Sequence, residues 1–167
     1  MNTVSSDLVT RFHHLPHWQQ GGSIYFVTFR SIIGELPDEA KKIVIDVLTN
    51  REQSRYLLLL AVVMPDHVHA LLLPNEITPK HWIDLSTIMK GIKGTTSRRI
   101  NKELHRSGQV WQRDTFDRII RNEQELNNKW NYMKMNPVTA SLVNDPQEYP
   151  YFASHLSDCL YSISTPI

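Results

Sequence analysis

The sequence has 167 residues, 41% of them hydrophobic and 21% charged, proportions typical of a globular protein rather than of disordered, collagen-like or coiled-coil chains. Its longest apolar run, the nine residues 56–64, is far shorter than the roughly 20 that cross a bilayer, and no signal-peptide pattern opens the chain. The 18 basic and 17 acidic residues nearly balance and the lone Cys159 can form no internal disulfide, so we expect a single cytoplasmic domain over residues 1–167.

The first predicted elements are a strand and a helix. Residues 24–30 are rich in β-branched and aromatic side chains and follow a Gly-Gly pair, which predicts a strand buried on both faces. Pro37 and the two acidic residues after it mark the start of the helix. The apolar residues that recur there at the spacing of one helical stripe are Ala40, Ile43, Val44, Val47 and Leu48.

Two further apolar runs predict a hairpin. They cover residues 56–64 and 67–73, and only Pro65 and Asp66 separate them. So short a connection requires antiparallel strands, because parallel neighbours need a crossover of a dozen or more residues.

The second half predicts a long helix, a strand and a last helix. Apolar residues keep helical spacing over residues 80–106, where Gly91 and Gly94 favour a kink or a close backbone approach. Residues 110–120 predict a fourth strand. Asn122, with Glu125 three residues later, has the spacing of a capping box and opens a helix that runs to about residue 135.

The order of these elements predicts an α+β fold with a ferredoxin-like antiparallel sheet and helices packed on one face. The core of the domain covers about residues 20–143, and a tail containing Pro and Tyr covers about residues 145–167. The composition of the tail leaves open whether it packs on the domain or covers the functional site.

The third predicted strand carries a pair of histidines. Because side chains alternate along a strand, His67 and His69 project to the same side, about 7 Å apart along the chain, while Val68 points away. Two nitrogen donors so placed can bind one divalent ion, although such a pattern alone is more often a pair of histidines without a metal. A Cys/His zinc site lacks further ligands, since Cys159 is the single cysteine.

Six segments carry a family resemblance, and they follow one another in unbroken order between about residues 20 and 155. They are YFVTFR (25–30), AVVMPDHVHALL (61–72), IKG (92–94), SRRIN (97–101), VWQRDTFDR (110–118) and YMKMNPVTASLV (132–143). Together they resemble the single-tyrosine, His-hydrophobe-His transposases that act on single-stranded DNA, in particular the REP-associated tyrosine transposases.

The resemblance implies DNA cleavage and strand transfer with Tyr132 as the nucleophile and a 5′-phosphotyrosine intermediate. A phenol, with its pKa near 10, leaves phosphorus more readily than an alkoxide, so a free 3′-hydroxyl can reseal the bond without ATP. The resemblance also implies a divalent metal, Mg²⁺ or Mn²⁺, with His67, His69 and Asn136 as its protein ligands.

Asn136 has a competing structural interpretation. It precedes Pro137, and residues before proline avoid the α region, so Asn136 can instead cap a new helix over residues 138–143. The segment that follows also departs from the family pattern. Where the family commonly has a basic residue, Ala and Gly after Asn-Pro-Val, this chain has Thr139, Ala140 and Ser141.

The charge distribution favours a polyanionic partner. Residues 80–121 hold ten basic and four acidic side chains, net +6, whereas the flanking regions 1–79 and 122–167 are net −2 and −3. A solvated basic helix face is the alternative on charge alone. The candidate DNA-binding residues are Lys90, Lys93, Arg98, Arg99, Lys102, Arg106, Arg113 and Arg118. Trp82 is a candidate for stacking on unpaired bases, whereas Trp111 is expected in the core.

The partner implied by the resemblance is single-stranded or hairpin DNA, bound by a monomer rather than by a dimer with exchanged tyrosines. Two other functions remain open. A host-retained DNA-binding protein of the same fold that no longer cleaves is disfavoured by the intact His67, His69 and Tyr132. A small-molecule metallohydrolase is disfavoured by the ordered family segments and the basic middle region.

Overall fold

The computed structural model describes residues 8–13, 15–50 and 55–154. Cys159 and the end of the tail lie outside these residues. The strands are β1 (Leu8–His13), β2 (Leu15–Gln20), β3 (Tyr25–Arg30), β4 (Tyr56–Val63), β5 (His67–Pro74), β6 (Glu76–Thr78), β7 (His81–Trp82), β8 (Phe116–Ile119) and β9 (Phe152–Ser154). The helices are α1 (Asp38–Asn50), α2 (Leu85–Glu103), α3 (Glu123–Thr139) and a 3₁₀ turn at Pro146–Glu148. In the described part of the chain, none of the helices is long and apolar enough to cross a membrane.

The central sheet has five strands in the order β8-β3-β5-β4-β9, and every neighbouring pair is antiparallel. The predicted hairpin is confirmed: β4 and β5 pair along almost their whole length, and Met64 N–H donates to the His67 carbonyl at 2.8 Å to close the turn. The predicted strand at residues 24–30 is β3, which pairs with β5 so that Thr28 lies opposite His69 and Arg30 opposite His67.

One face of the sheet is closed by two helices. The predicted stripe of α1 is confirmed, since all five of its apolar residues are buried. They pack with α2 against alternate strand residues such as Val27 on β3 and Val68, Ala70 and Leu72 on β5, each 0% exposed. Trp111 lies in this core as predicted, 2% exposed, and its Nε1–H donates to Thr96 Oγ1 at 2.8 Å.

The opposite face carries the intervening strand residues and the last helix. Phe26, Leu60, Val62 and Leu71 form a second core with Met133 of α3. The described part of the tail, up to residue 154, packs on the domain: β9 adds a strand beside β4, and the buried Tyr149 hydroxyl donates to the Val63 carbonyl at 2.7 Å. The α+β class with its antiparallel sheet is confirmed. The prediction that the helices pack on one face is wrong for α3. This helix lies on the face opposite α1 and α2, where the histidines are, because its Met133 packs with Phe26 and Leu71 there.

The predicted helix over residues 80–106 is wrong at its start. The chain first forms the small hairpin of β6 and β7, in which Lys80 turns with a φ of 65° and its N–H donates to Glu76 Oε1 at 2.6 Å. The helix α2 begins only at Leu85 and continues without interruption through both glycines. A Cβ on Gly94 would meet Arg98 Nη1 of the same helix at 3.6 Å, an ordinary contact, so no other described element makes the close approach that we predicted there.

The predicted strand at residues 110–120 is also only partly correct. Trp111 forms an isolated bridge with Ser31, and regular pairing resumes at Phe116. Between them the chain leaves the sheet, and Lys93 Nζ donates to the carbonyl oxygens of Arg113 at 2.9 Å and Asp114 at 3.4 Å. These bonds replace the strand hydrogen bonds that the excursion breaks.

The last helix is longer than predicted. Its capping by Asn122 is confirmed, because Asn122 Oδ1 accepts from Glu125 N–H at 2.8 Å. The helix does not stop at Asn136 to begin again: α3 continues through Pro137 to Thr139, so the interpretation of Asn136 as an N-cap is wrong. The buried Met133 and Pro137 hold this turn against the sheet, and that packing outweighs the local preference of a residue before proline.

Candidate active site

The two histidines of β5 form the centre of the site. As predicted, they share one face of the sheet, with their ring centroids 4.7 Å apart. His69 is 5% exposed and its ring stacks on Phe26 at 5.2 Å. Phe26 lies on β3, the neighbour of β5, and its side chain reaches this face because residues alternate along the strand.

Each histidine is held through its Nδ1 atom. His67 Nδ1 lies 2.6 Å from Asp66 Oδ1, and His69 Nδ1 lies 2.6 Å from Thr28 Oγ1. Asp66 in turn accepts from Arg30 Nη1 at 3.3 Å. With both Nδ1 atoms engaged, the Nε2 atoms are the ones that could bind a metal. Partners of this kind fix the tautomer and ring orientation of histidines in metal sites.

Burial and nearby charges favour a neutral His69 imidazole and an ionised Asp66 carboxylate. Burial lowers the pKa of His69 to about 3, and the electrostatic effects of His67, Arg30 and Lys129 act in the same direction. The hydrogen bond with His67 lowers the pKa of the Asp66 carboxyl below its usual range. A neutral imidazole with a free Nε2 lone pair is the form that binds a divalent metal.

The helix α3 brings Tyr132 to the histidines. Its hydroxyl oxygen lies 3.5 Å from His69 Nε2, and the two ring centroids are 5.5 Å apart. The tyrosine side is open, since the residue is 49% exposed, whereas its neighbour Met133 is fully buried and anchors the helix. The site therefore combines a fixed imidazole pair with a phenol that substrate can reach from solvent.

Asn136 lies one helical turn after Tyr132. Its Nδ2 atom is buried and has no hydrogen-bond partner among the residues that the structure describes. A half-turn of the amide exchanges Nδ2 for Oδ1, so the position can offer an oxygen donor instead. Within the described ranges, no three His, Cys, Asp or Glu residues form a metal cluster. The donor set of His67, His69 and an amide oxygen fits a hexacoordinate ion that completes its shell with water and substrate oxygen.

Comparison with known proteins identifies the family. The sequence model of the family described as transposase IS200-like matches residues 30–133, a region that contains both histidines and Tyr132. The chain belongs to this family. The predicted resemblance is therefore confirmed by a match across more than half of the sequence.

The chain is also similar to individual proteins and solved structures. A Haemophilus influenzae protein provisionally named a REP-associated tyrosine transposase is 24% identical over 98 residues, 56% of each chain, so the match spans little more than half of that relative. A solved structure described as a REP-associated tyrosine transposase bound to a REP hairpin is 18% identical. It shares the fold with a TM-score of 0.67 over 84% of this chain and 82% of that one. A protein from Deinococcus radiodurans, described provisionally as a transposase, is 21% identical with a TM-score of 0.44 over 80% of this chain and 96% of that one.

The structure separates the predicted DNA-binding residues of this IS200-like family member by their partners within the described part of the chain. Four of them already have such partners. Lys93 binds backbone carbonyls, Arg98 donates to Thr95 Oγ1 at 3.2 Å, Arg106 donates to Asn101 Oδ1 at 2.7 Å, and Arg118 pairs with Glu125 Oε1 at 2.6 Å. The exposed cations of the set are Lys90, Arg98, Arg99, Lys102, Arg113 and Arg118.

Trp82 packs closely on a glycine. A Cβ at Gly21 would stand 2.0 Å from Trp82 Cε3, so the indole ring lies directly against the Gly21 backbone. One face of the ring is thereby occupied, although the residue is only half-buried.

Sequence reasoning missed several residues at the site. They include Asp66 and Thr28, which contact the histidine rings, and also Lys129, Phe26 and Phe116. Lys129 Nζ lies 4.5 Å above the centroid of Phe26, and the Phe26 ring also meets the 54%-exposed Phe116 at 6.4 Å. Lys129 precedes Tyr132 by three residues, a spacing that puts both on one side of a helix and is visible in the sequence. The neighbours of Phe26 depend on strand order, which the sequence pattern did not specify.

Proposed function

We propose that the protein is a DNA transposase that cleaves and rejoins single-stranded, hairpin-forming DNA of the REP type through a 5′-phosphotyrosine at Tyr132. The observation that carries this proposal is the 3.5 Å separation between the Tyr132 hydroxyl and His69 Nε2. Membership of the IS200-like family and the hairpin-bound state of the neighbouring structure support the substrate class.

The proposed metal site uses the Nε2 atoms of His67 and His69 and the amide oxygen of Asn136 to hold Mg²⁺ or Mn²⁺. When bound, such an ion supplies a Lewis acid that withdraws negative charge from a non-bridging oxygen of the scissile phosphate. Asp66 and Thr28 hold the two rings in place for this role through the Nδ1 contacts of 2.6 Å.

In the proposed cleavage step the Tyr132 oxygen attacks the phosphorus atom. A bond forms between Tyr132 Oη and phosphorus while the bond from phosphorus to the 3′-oxygen of the preceding nucleotide breaks. The phenolic proton passes to water and the departing 3′-oxygen takes up a proton, so the products are a 5′-phosphotyrosine and a free 3′-hydroxyl. Rejoining reverses these steps with the 3′-hydroxyl of another strand, and one phosphodiester replaces another.

The tyrosine and the histidines of the proposed site belong to the same chain. The contacts that position Tyr132 are also internal to the chain. They are the Asn122 cap of α3 and the burial of Met133. We therefore propose a monomer with a complete active site. Sedimentation of the protein with hairpin DNA tests this, because a dimer that exchanges α3 would run at twice the mass.

The exposed cations of the basic region are proposed to hold the DNA backbone. Arg98 and Lys102 are four residues apart on α2 and thus share one side of the helix, and Lys90 and Arg99 are exposed on the same helix. Contacts of this kind neutralise phosphates and make affinity depend steeply on salt rather than on sequence.

The decisive experiment incubates labelled single-stranded hairpin DNA with the protein and Mn²⁺, then separates products under denaturing conditions. We expect a covalent protein–DNA adduct in the wild type and none in Tyr132→Phe or His67→Ala. Equal binding by all three proteins without an adduct would favour the non-cleaving DNA-binding protein. Neither binding nor adduct would reject the nucleic-acid function and leave the metallohydrolase.

A further inference from the structure

We propose that Lys129 is a cationic contact for the scissile phosphate, carried on the same helix as the nucleophile. The inference deepens the proposed function and rests on it. Its ligand is a non-bridging oxygen of the phosphodiester that Tyr132 attacks.

The geometry places the ammonium group at the mouth of the site. Lys129 Nζ lies 4.5 Å from the centroid of Phe26 and 5.4 Å from that of Tyr132. Phe26 stacks on His69. Its ring also lies edge-to-face with that of Tyr132, with the two ring centroids 6.4 Å apart. The ammonium, the phenol and the imidazole therefore surround a single phenylalanine ring.

The partners of Lys129 distinguish it from other cations nearby. In the described part of the chain, Arg30 pairs with Asp66, Lys41 with Asp38 and Arg118 with Glu125, whereas no carboxylate pairs with Lys129. Its contacts are aromatic faces, which stabilise a cation without neutralising its charge. A half-buried, unneutralised charge 5.4 Å from the centroid of the Tyr132 ring is suited to an anion that arrives with the substrate.

The position on α3 gives this charge a second property. Lys129 and Tyr132 are three residues apart on one continuous helix, so the ammonium and the phenol keep their spacing whenever the helix shifts. The negative charge on the phosphoryl oxygens and on the phenolic oxygen that departs during rejoining would then meet the same ammonium group. Such a fixed charge lowers the barrier in both directions because it requires no reorganisation during the step.

The test compares Lys129→Met and Lys129→Gln with a matched control, Lys134→Met, which removes the same charge from α3 at a position about 140° away around the helix. The readouts are the single-turnover rate of adduct formation on hairpin DNA with Mn²⁺, the DNA concentration at half-maximal rate, and the melting temperature of each protein. For both Lys129 variants we expect the rate to fall about 100-fold. We expect Lys134→Met to stay within about threefold, and Lys129→Arg, which keeps the charge, to recover most of the loss.

A second readout is the salt dependence of hairpin binding. Loss of one phosphate contact should reduce the slope of log affinity against log salt by about 0.7 in the Lys129 variants. Wild-type rates in folded Lys129→Met and Lys129→Gln would overturn the inference while leaving the proposed function intact. Lower melting temperatures with an unchanged rate per folded molecule would assign Lys129 to packing alone. Absence of an adduct in the wild type would instead reject the proposed function.

Discussion

The two faces of the central sheet differ in what covers them. On the face under α1 and α2, the strand residues Val27, Val68, Ala70 and Leu72 are all 0% exposed. On the other face α3 has two buried residues in the described structure, Met133 and Pro137, and Tyr132 is 49% exposed beside Met133. The closed face supplies stability, and the partly open face leaves room for a substrate.

Alternation along β5 connects these two roles residue by residue. His67, His69 and Leu71 point to the open face, and the residues between them point into the closed core. The rigidity of the histidine pair thus comes from neighbours on the same strand that never meet substrate. Substitutions on the two faces should consequently separate chemistry from stability.

The largest effect on chemistry is expected from His67→Ala. Loss of a proposed metal ligand should lower the rate of adduct formation about 1,000-fold, because a Lewis acid contributes several kcal/mol to phosphoryl transfer. The free energy of unfolding, measured by urea denaturation, should change little, since His67 lies at the accessible side of the site. An adduct rate close to wild type would mean that His67 does not take part in cleavage.

The converse substitution is Leu72→Ala on the closed face. Removal of a fully buried leucine side chain should cost about 2–5 kcal/mol of unfolding free energy. The adduct rate per folded molecule should remain near wild type, with urea denaturation run in parallel to count folded protein. A fall in rate as large as that of His67→Ala would contradict the separation of the two faces.

Thr28→Val tests the support of the open face. The valine keeps the shape of threonine but removes the hydroxyl that lies 2.6 Å from His69 Nδ1. Loss of such a partner typically costs about 10- to 100-fold in metal affinity or activity. The rate of adduct formation should therefore fall, and the Mn²⁺ concentration needed for half of the maximal rate should rise. Thr28→Ser, which retains the hydroxyl, serves as the control and should behave like the wild type.

Sequence reasoning succeeded where one element carried the information. The stripe of α1, the β4–β5 hairpin and the Asn122 cap each follow from residues close together in the chain. The excursion at residues 112–115 could not be predicted, because it depends on Lys93 Nζ from another element. Composition likewise counted every cation of the basic region as free to bind DNA. In the structure, Arg118 pairs with Glu125 and Arg106 with Asn101, and neither pairing could be read from composition.

The residues of the candidate site also differ in whether a local sequence pattern predicts them or only the packing of distant elements brings them together. The shared side of His67 and His69 follows from strand alternation, and Tyr132 came from the family resemblance. Asn136 was ambiguous because the local rule for residues before proline opposed a continuous helix, and tertiary packing of Met133 decided against that rule. The closeness of Lys129 to Phe26 depends on where α3 lies across the sheet, which no local pattern encodes.

The smallest effect is expected at the end of α3. Ser141 adopts a φ of 57°, in the left-handed region that favours glycine. Ser141→Gly should therefore raise the free energy of unfolding by about 1 kcal/mol, measured by urea denaturation. The adduct rate should be unchanged, since Ser141 lies beyond the turn that carries Tyr132 and Asn136. A destabilised variant would indicate that the serine side chain makes a compensating contact.

The atom that becomes attached to DNA can be identified directly. The wild-type adduct would be digested with protease and nuclease, and the modified peptide would be sequenced by mass spectrometry. We expect a nucleotide joined through its 5′-phosphate to Tyr132 and to no other residue. Attachment to another side chain, or a 3′-phosphate linkage, would contradict the proposed roles of α3 and the histidine pair.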